Sequence, residues 1–317
     1  MKCDIEWNKL SLMDWQSRFA TIKRSNILQS HAYAVAQAKT CNQGARWGII
    51  YIDGQEAGML QILEARILWG AFHAIILDRG PLWFEGFGGA AHLQAFFKEF
   101  NSQFPKRLGR KRRILPEIID GPAAQGILKQ GGLNRHDDQT GYQSLWWDLN
   151  MSDEDARQNL RSNWRGSLHK AEENDLQIEW DNSGKFYSWL REHYVMDKLS
   201  RGYNGISPKL LDNMAAISPF EPSIIIGRAN RKGRTIAGIL ILKHGQSATY
   251  QIGWSSDEGR KYCAHHLLLW QARQRLQSYG IKDFDLGGFN DDDSADGIKK
   301  FKTGTGATLY KLVRHYD

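Results

Sequence analysis

One local pattern occurs twice in this chain. Ala57-Gly58-Met59-Leu60-Gln61-Ile62-Leu63 follows a glycine turn after an apolar run, and so does Ala237-Gly238-Ile239-Leu240-Ile241-Leu242. Glycine-turned hairpins also recur by chance, but the flanking elements read alike as well: helix, meander, helix, strand. The reading is therefore a duplicated mixed α/β unit, in which each copy buries one face of a sheet under helices. Length agrees, because 317 residues exceed what a single core usually organises. Two domains are expected, 1–150 and 151–317.

Local signals fix the order of elements. Ser30 is placed to cap a helix over the alanine-rich stretch 31–39. Strands over 47–52 and 57–63 are joined at Asp53-Gly54, a strong hairpin signal. The apolar run 74–77 stops at the turn Asp78-Arg79-Gly80-Pro81, a helix is expected over 92–100, and strands over 113–119 and 143–149. In the second half, Ser152 caps a helix predicted to continue through Trp164 toward Lys170. Helices over 184–199 and 208–216 follow, then strands turning at Lys232-Gly233 and Gly245. A long amphipathic helix is predicted over 259–279, then a strand over 283–286 and a short helix over 298–302.

Composition narrows the class of function. Hydrophobic residues make up 41% and charged residues 24%, a folding composition. There is no run of eighteen apolar residues and the first residues are charged, so neither a membrane span nor a secretory signal is expected. Three cysteines far apart fit neither a disulfide framework nor a Cys-x-x-Cys knuckle. A cytoplasmic location without a bound metal is expected. The net charge of +7 favours polyanionic partners.

Several familiar sites are missing, among them the phosphate loop, the His-Glu-x-x-His helix and Gly-x-Ser-x-Gly. His265 and His266 are adjacent on a helix and point about 100° apart, so they do not ligate one ion together and read as satisfied or exposed side chains. Asp291-Asp292-Asp293 with Asp296 reads as a solvated acidic loop rather than a Mg²⁺ site. Lys106-Arg107-Leu108-Gly109-Arg110-Lys111-Arg112-Arg113 is the densest positive run, equally a phosphate-binding patch or a solvated loop. The most informative stretch is Asp285-Leu286-Gly287-Gly288-Phe289-Asn290 followed by 297–306. There glycines allow close backbone approach, and Lys302 can offset developing negative charge.

An ordered set of segments carries a resemblance. These are Ile27-Leu28-Gln29-Ser30, Asp78-Arg79-Gly80-Pro81-Leu82, Trp164-Arg165-Gly166-Ser167-Leu168-His169-Lys170-Ala171 and Ser200-Arg201-Gly202-Tyr203. They continue with Ala248-Thr249-Tyr250-Gln251-Ile252-Gly253, Leu267-Leu268-Leu269-Trp270, Asp285-Leu286-Gly287-Gly288 and Phe301-Lys302-Thr303-Gly304. Together they resemble the FemAB family of aminoacyl-tRNA-dependent transferases that build peptidoglycan bridges. The resemblance implies two tandem GNAT-like domains, α/β (α+β) in class, with mixed sheets flanked by helices.

It also implies a role for particular side chains. Lys302 would stabilise the oxyanion of the tetrahedral intermediate and Phe301 would shape its pocket. Lys39 and Arg201 would bind the phosphates of a nucleotide-linked precursor, and Arg79, Tyr203 and Tyr250 would join them in substrate binding. The partners implied are aminoacyl-tRNA, a UDP-linked or lipid-linked muramyl peptide, and a peripheral contact with the inner membrane face. No cofactor is implied. A base at Glu85 is the weakest of these assignments. Thr305 and Ala307 depart from the family's aromatic-glycine continuation. Two alternatives stay open. One keeps the fold but takes acyl-CoA at Asp257-Glu258-Gly259-Arg260-Lys261-Tyr262-Cys263-Ala264, a stretch with one glycine and two acids. The other is a non-catalytic RNA-binding protein using the 106–113 run and exposed tryptophans.

Overall fold

The computed structural model describes residues 1–136, 141–217, 223–289 and 296–317. The chain divides into two compact units, Met1–Gln143 with Tyr310–Asp317, and Ser144–Leu309. In the first unit the order is β1 (Cys3–Trp7), α1 (Leu12–Phe19), α2 (His31–Cys41), β2 (Gly44–Ile52), β3 (Gln55–Ile67), β4 (Phe72–Gly80), β5 (Leu82–Trp83), α3 (Ala90–Gln103), β6 (Arg110–Pro116) and α4 (Pro122–Gln130). Its sheet runs β1-β2-β3-β4-β6, with β5 beside β3. Every neighbouring pair is antiparallel except β4 and β6. The core packs sheet residues such as Ile50, Leu60, Ile62 and Ile75 against the α3 phenylalanines Phe96, Phe97 and Phe100.

The next elements are β7 (Gln143–Asp148), α5 (Asp153–Asn159), α6 (Ser162–Glu172), β8 (Gln177–Asp181), α7 (Tyr187–Arg201), α8 (Pro208–Ala215), β9 (Ser223–Arg231), β10 (Arg234–His244) and β11 (Ser247–Ser255). Then come α9 (Asp257–Lys261), α10 (Ala264–Ser278), β12 (Asp283–Asp285) and α11 (Asp296–Thr303), and β13 (Thr308–Lys311) leads the chain back to the first unit. Strand order here is β8-β9-β10-β11-β12-β7. Again one strand pair in the series β8 to β12 is parallel, β11 with β12. The core of this unit packs β10 and α10, with Ile239, Ile241, Leu268 and Leu269 closed off from water, against Trp147 and Trp164.

The duplication expected from the sequence is thus visible as topology. A strand, two helices, an antiparallel meander, a helix and a strand parallel to the end of the meander occur in both units, with Gly58 and Gly238 on matching strands β3 and β10. The fold is the mixed α/β arrangement with helix-flanked sheets that was expected.

Three local expectations fail for identifiable reasons. The helix from Ser152 breaks at Leu160, whose extended backbone (φ −62°, ψ 138°) separates α5 from α6. The helix predicted over 259–279 breaks at Cys263, held at φ 53°, giving α9 and α10. The run 78–81 does not end its strand early, since β4 continues to Gly80 and pairs with β6 to its end. Other expectations hold: Ser30 accepts a hydrogen bond from Tyr33 N, and Asp53 and Gly54 both take the positive φ of a tight hairpin.

Candidate functional site

The parallel pair of the second unit is short. β11 and β12 stay in register from Ser247↔Asp283 to Thr249↔Asp285, after which no pairing between them is seen among the described residues. Tyr250 is the first β11 residue beyond that point, and Leu286-Gly287-Gly288 is the corresponding departure of the other strand. Leu286 N donates to Leu145 O, which draws the departing chain toward β7. A gap between parallel strands leaves main-chain carbonyls without ladder partners, and these must be satisfied by something else.

Lys302 satisfies them. It projects from α11, is only 6% exposed, and its Nζ donates to Gly287 O at 2.8 Å and Gly288 O at 3.1 Å. Gly287 sits at φ +76°, and a Cβ there would lie 2.6 Å from Tyr250 O and 3.5 Å from Lys302 Nζ. Glycine is therefore what lets the lysine, the turn and β11 meet. The turn itself is braced by Asp285, whose Oδ1 accepts from Gly287 N and from Ser144 Oγ. Burial pushes the Lys302 ammonium down to about 8, with Asp285 opposing the shift. Two N–H groups of the ammonium are committed to carbonyls, so a third remains for a ligand.

Aromatic rings line the rest. The Lys302 Nζ lies 5.5 Å from the Tyr250 ring centroid. Tyr250 Oη is 2.7 Å from His265 Nε2. Phe301 packs edge-on against His266 at 4.9 Å and lies 5.5 Å from His265 and 6.0 Å from Trp164. Burial, then the charges of His266 and Lys302, pushes His265 down to about 3, so its ring is neutral at physiological pH. His265 Nδ1 is buried without a hydrogen-bond partner. A buried N–H without an acceptor costs more than an unused lone pair. Hydrogen-bond balance therefore assigns the proton to Nε2, which donates to Tyr250 Oη. The Tyr250 proton is then left to donate elsewhere.

Of the residues expected from the sequence, Lys302, Phe301 and Tyr250 come together. Tyr203 lies on the loop after α7 and acts electrostatically on Tyr250, raising its phenol pKa in addition to the larger effect of burial. Arg201 closes α7, is 55% exposed and pairs with Asp197 at 2.8 Å. In the first unit, Lys39 is exposed in the last turn of α2, and Glu85 is exposed in the turn after β5. Arg79 is 3% exposed, and its guanidinium donates to both Glu117 carboxylate oxygens at 2.7 Å and to Tyr310 Oη at 3.0 Å. That geometry gives Arg79 a structural task inside the unit. His265 was read as a bystander. No sequence signal marks it, since adjacency on one helix says nothing about a tyrosine arriving from β11.

The alternatives also find a place. At Asp257–Lys261 the amide of Gly259 already donates to Ser256 Oγ at 3.1 Å, and Glu258 pairs with Arg231. A pyrophosphate would meet an acid and a used amide there. The run 106–113 is not one patch, because β6 alternates its faces: Arg112 is buried and bonded to Asn101 and to Phe104 O, whereas Arg113 pairs with Asp78. Asp291, Asp292 and Asp293 lie outside the described residues. Among the described residues no group of three His, Cys, Asp or Glu side chains is placed to hold a metal, and no helix is long and apolar enough to cross a membrane.

The chain is similar to known proteins. Residues 224–316, which include β11, α10, β12 and α11, match the FemAB family. A lipid II:glycine glycyltransferase of Staphylococcus saprophyticus subsp. saprophyticus is 23% identical over 159 residues, covering 48% of this chain and 34% of that protein. The chain thus aligns with about a third of the length of this curated relative. The crystal structure of FemX superposes with a TM-score of 0.79 at 15% identity, covering 98% of this chain and 96% of the other. A tandem GNAT protein from the clavulanic acid pathway superposes with a TM-score of 0.52 at 10% identity, covering 99% and 98%. The last two likenesses concern the fold.

Proposed function

We propose that this FemAB/FemX-like chain is an aminoacyltransferase that moves an aminoacyl group from aminoacyl-tRNA to an amine of a peptidoglycan precursor, with Lys302 at its reacting centre. The observation that carries the reading is a buried ammonium held by two glycine carbonyls in a gap between parallel strands, within the segment that matches the family. The likeness to the staphylococcal lipid II:glycine glycyltransferase supports the acceptor class.

The chemistry needs no nucleophilic side chain. The acceptor amine attacks the ester carbonyl, the carbonyl oxygen gains negative charge, and the C–O bond to the ribose breaks as the amide forms. The amine's proton leaves and the ribose oxygen takes one up. Lys302 offers its third N–H to the developing oxyanion, and Tyr250, with its proton aimed by His265, offers a second donor. A fixed donor of this kind is worth about 10²–10³ in rate. Phe301 and its neighbouring rings keep the centre dry, which strengthens both interactions. In the second unit Arg201 serves the phosphates of a UDP-linked or lipid-linked muramyl peptide, and Tyr203 lines the same acceptor.

The experiment is a single-turnover assay with tRNAs charged with labelled amino acids and UDP-linked muramyl pentapeptide or its lipid-linked form. Mass spectrometry should show a gain of one amino-acid residue, reduced about 10²–10³-fold in Lys302→Ala. Full activity of Lys302→Ala would remove the lysine from the mechanism. Transfer from acyl-CoA but from no charged tRNA would replace the donor.

A further inference from the structure

Apolar side chains that water should not meet are gathered at one end of the first unit's sheet. The β3–β4 connection carries Ile67, Leu68, Trp69 and Phe72, exposed by 63, 61, 105 and 55%. Leu68 and Trp69 both hold φ near +50°, a costly conformation for residues with a Cβ, and it presents their side chains rather than burying them. Leu108, 99% exposed, stands on the neighbouring 105–109 loop. The two loops touch: His73 N donates to Gly109 O at 2.8 Å, and Arg107 Nη1 donates to Ala71 O at 3.4 Å. Gly109, at φ +79°, lies so near that a Cβ would fall 2.2 Å from Ala71 O. The five side chains therefore belong to one tip.

The rim of that tip is cationic. Arg66, Arg107 and Arg110 crowd together beside it, the Arg66 partner is Glu64, and Lys111, the next residue of β6, is exposed on the other face of that strand. The crowding is felt by Arg110, whose pKa is lowered by burial and then by the charges of Arg107 and Arg66. An exposed apolar patch ringed by cations has the chemistry of a bilayer's interfacial layer, with hydrocarbon below and phosphates around.

We propose that this tip docks on an anionic lipid surface, with Trp69 and Leu108 entering the headgroup–acyl boundary and Arg107 and Lys111 meeting lipid phosphates. A second copy of the chain is a poorer occupant, because self-pairing would press two cationic rims together. RNA is poorer too, because three of the five side chains, Ile67, Leu68 and Leu108, offer no ring on which a base can stack and would stay exposed beside Trp69 and Phe72.

The test is co-sedimentation of the full chain with phosphatidylglycerol–phosphatidylcholine vesicles and with phosphatidylcholine alone, at low and high salt. Binding is expected on the anionic vesicles only, weakened by salt. Trp69→Ala with Leu108→Ala should lower the partition coefficient at least about tenfold, and Lys111→Ala about fivefold. Both replaced apolar residues are solvent-exposed, so an unchanged melting temperature verifies the fold of the double variant. Equal partitioning of the double variant and the parent protein would overturn the proposal. So would a loss confined to tRNA binding in a gel shift, or a loss confined to self-association in sedimentation, without vesicle binding by the parent protein.

Discussion

The two units share a topology but finish their parallel strand pair differently. In the first unit β4 and β6 pair from His73↔Arg110 to Gly80↔Pro116, with one register shift between Asp78 and Gly80 that sets Arg79 out of the ladder. In the second, β11 and β12 part after Thr249↔Asp285. Each unit places one buried cation where its pair ends. Burial works against the charge of Arg79, but Glu117 and Tyr310 outweigh it and hold its pKa well above the ordinary value. Lys302 has carbonyl partners and an ammonium pushed down to about 8. One copy of the scaffold satisfies its cation fully and gains a closed core. The other holds its lysine by two carbonyls and leaves one N–H of the ammonium over.

The contrast can be broken in three places. The largest effect is expected from Glu117→Ala in the closed unit. It strands a buried guanidinium and should cost about 3 kcal/mol of stability, read from the shift in denaturant midpoint. A cost below about 1 kcal/mol would mean that the pair is not what closes this end. Next is Gly287→Ala in the open unit, where a Cβ meets Tyr250 O at 2.6 Å with φ at +76°. A loss of about 1–3 kcal/mol is expected, together with reduced turnover of the folded fraction. Unimpaired turnover would show that the lysine pocket tolerates a wider gap.

The smallest effect sharpens the role of the lysine. The ammonium is half titrated at about pH 8, complete well below it and lost as pH rises above it. Single-turnover rates should therefore fall about tenfold per pH unit above that point. A rate that rises through pH 8 would instead make neutral Lys302 a base.

The same contrast explains what sequence reading could and could not find. Hairpin positions were legible because Asp53-Gly54 and Lys232-Gly233 supply the positive φ that such turns demand. Lys302 with its glycines was legible because chemistry and close approach call for those residue types together. The breaks at Leu160 and Cys263 carry no Gly or Pro, so tertiary packing, which local propensity does not encode, decides them. β1 and β8 were missed because each is five residues long and carries charged side chains. The Tyr250–His265 bond joins residues on different elements, and no spacing rule predicts it. The basic run stayed open between a patch and a loop because residues adjacent in sequence alternate between core and solvent once they form β6, as Arg112 and Arg113 do.

One further consequence follows from residues 310–317, which belong to the first unit although the second is threaded between them and the rest. Val313 and Tyr316 are buried in its core, and Tyr316 exchanges backbone hydrogen bonds with Ile114. During vectorial synthesis the first unit therefore waits, its sheet edge and hydrophobic seam uncovered, while the ribosome makes all of the second. At ordinary elongation rates that interval is on the order of ten seconds. The unit that emerges first is completed last, and in that interval it is the one most in need of a chaperone.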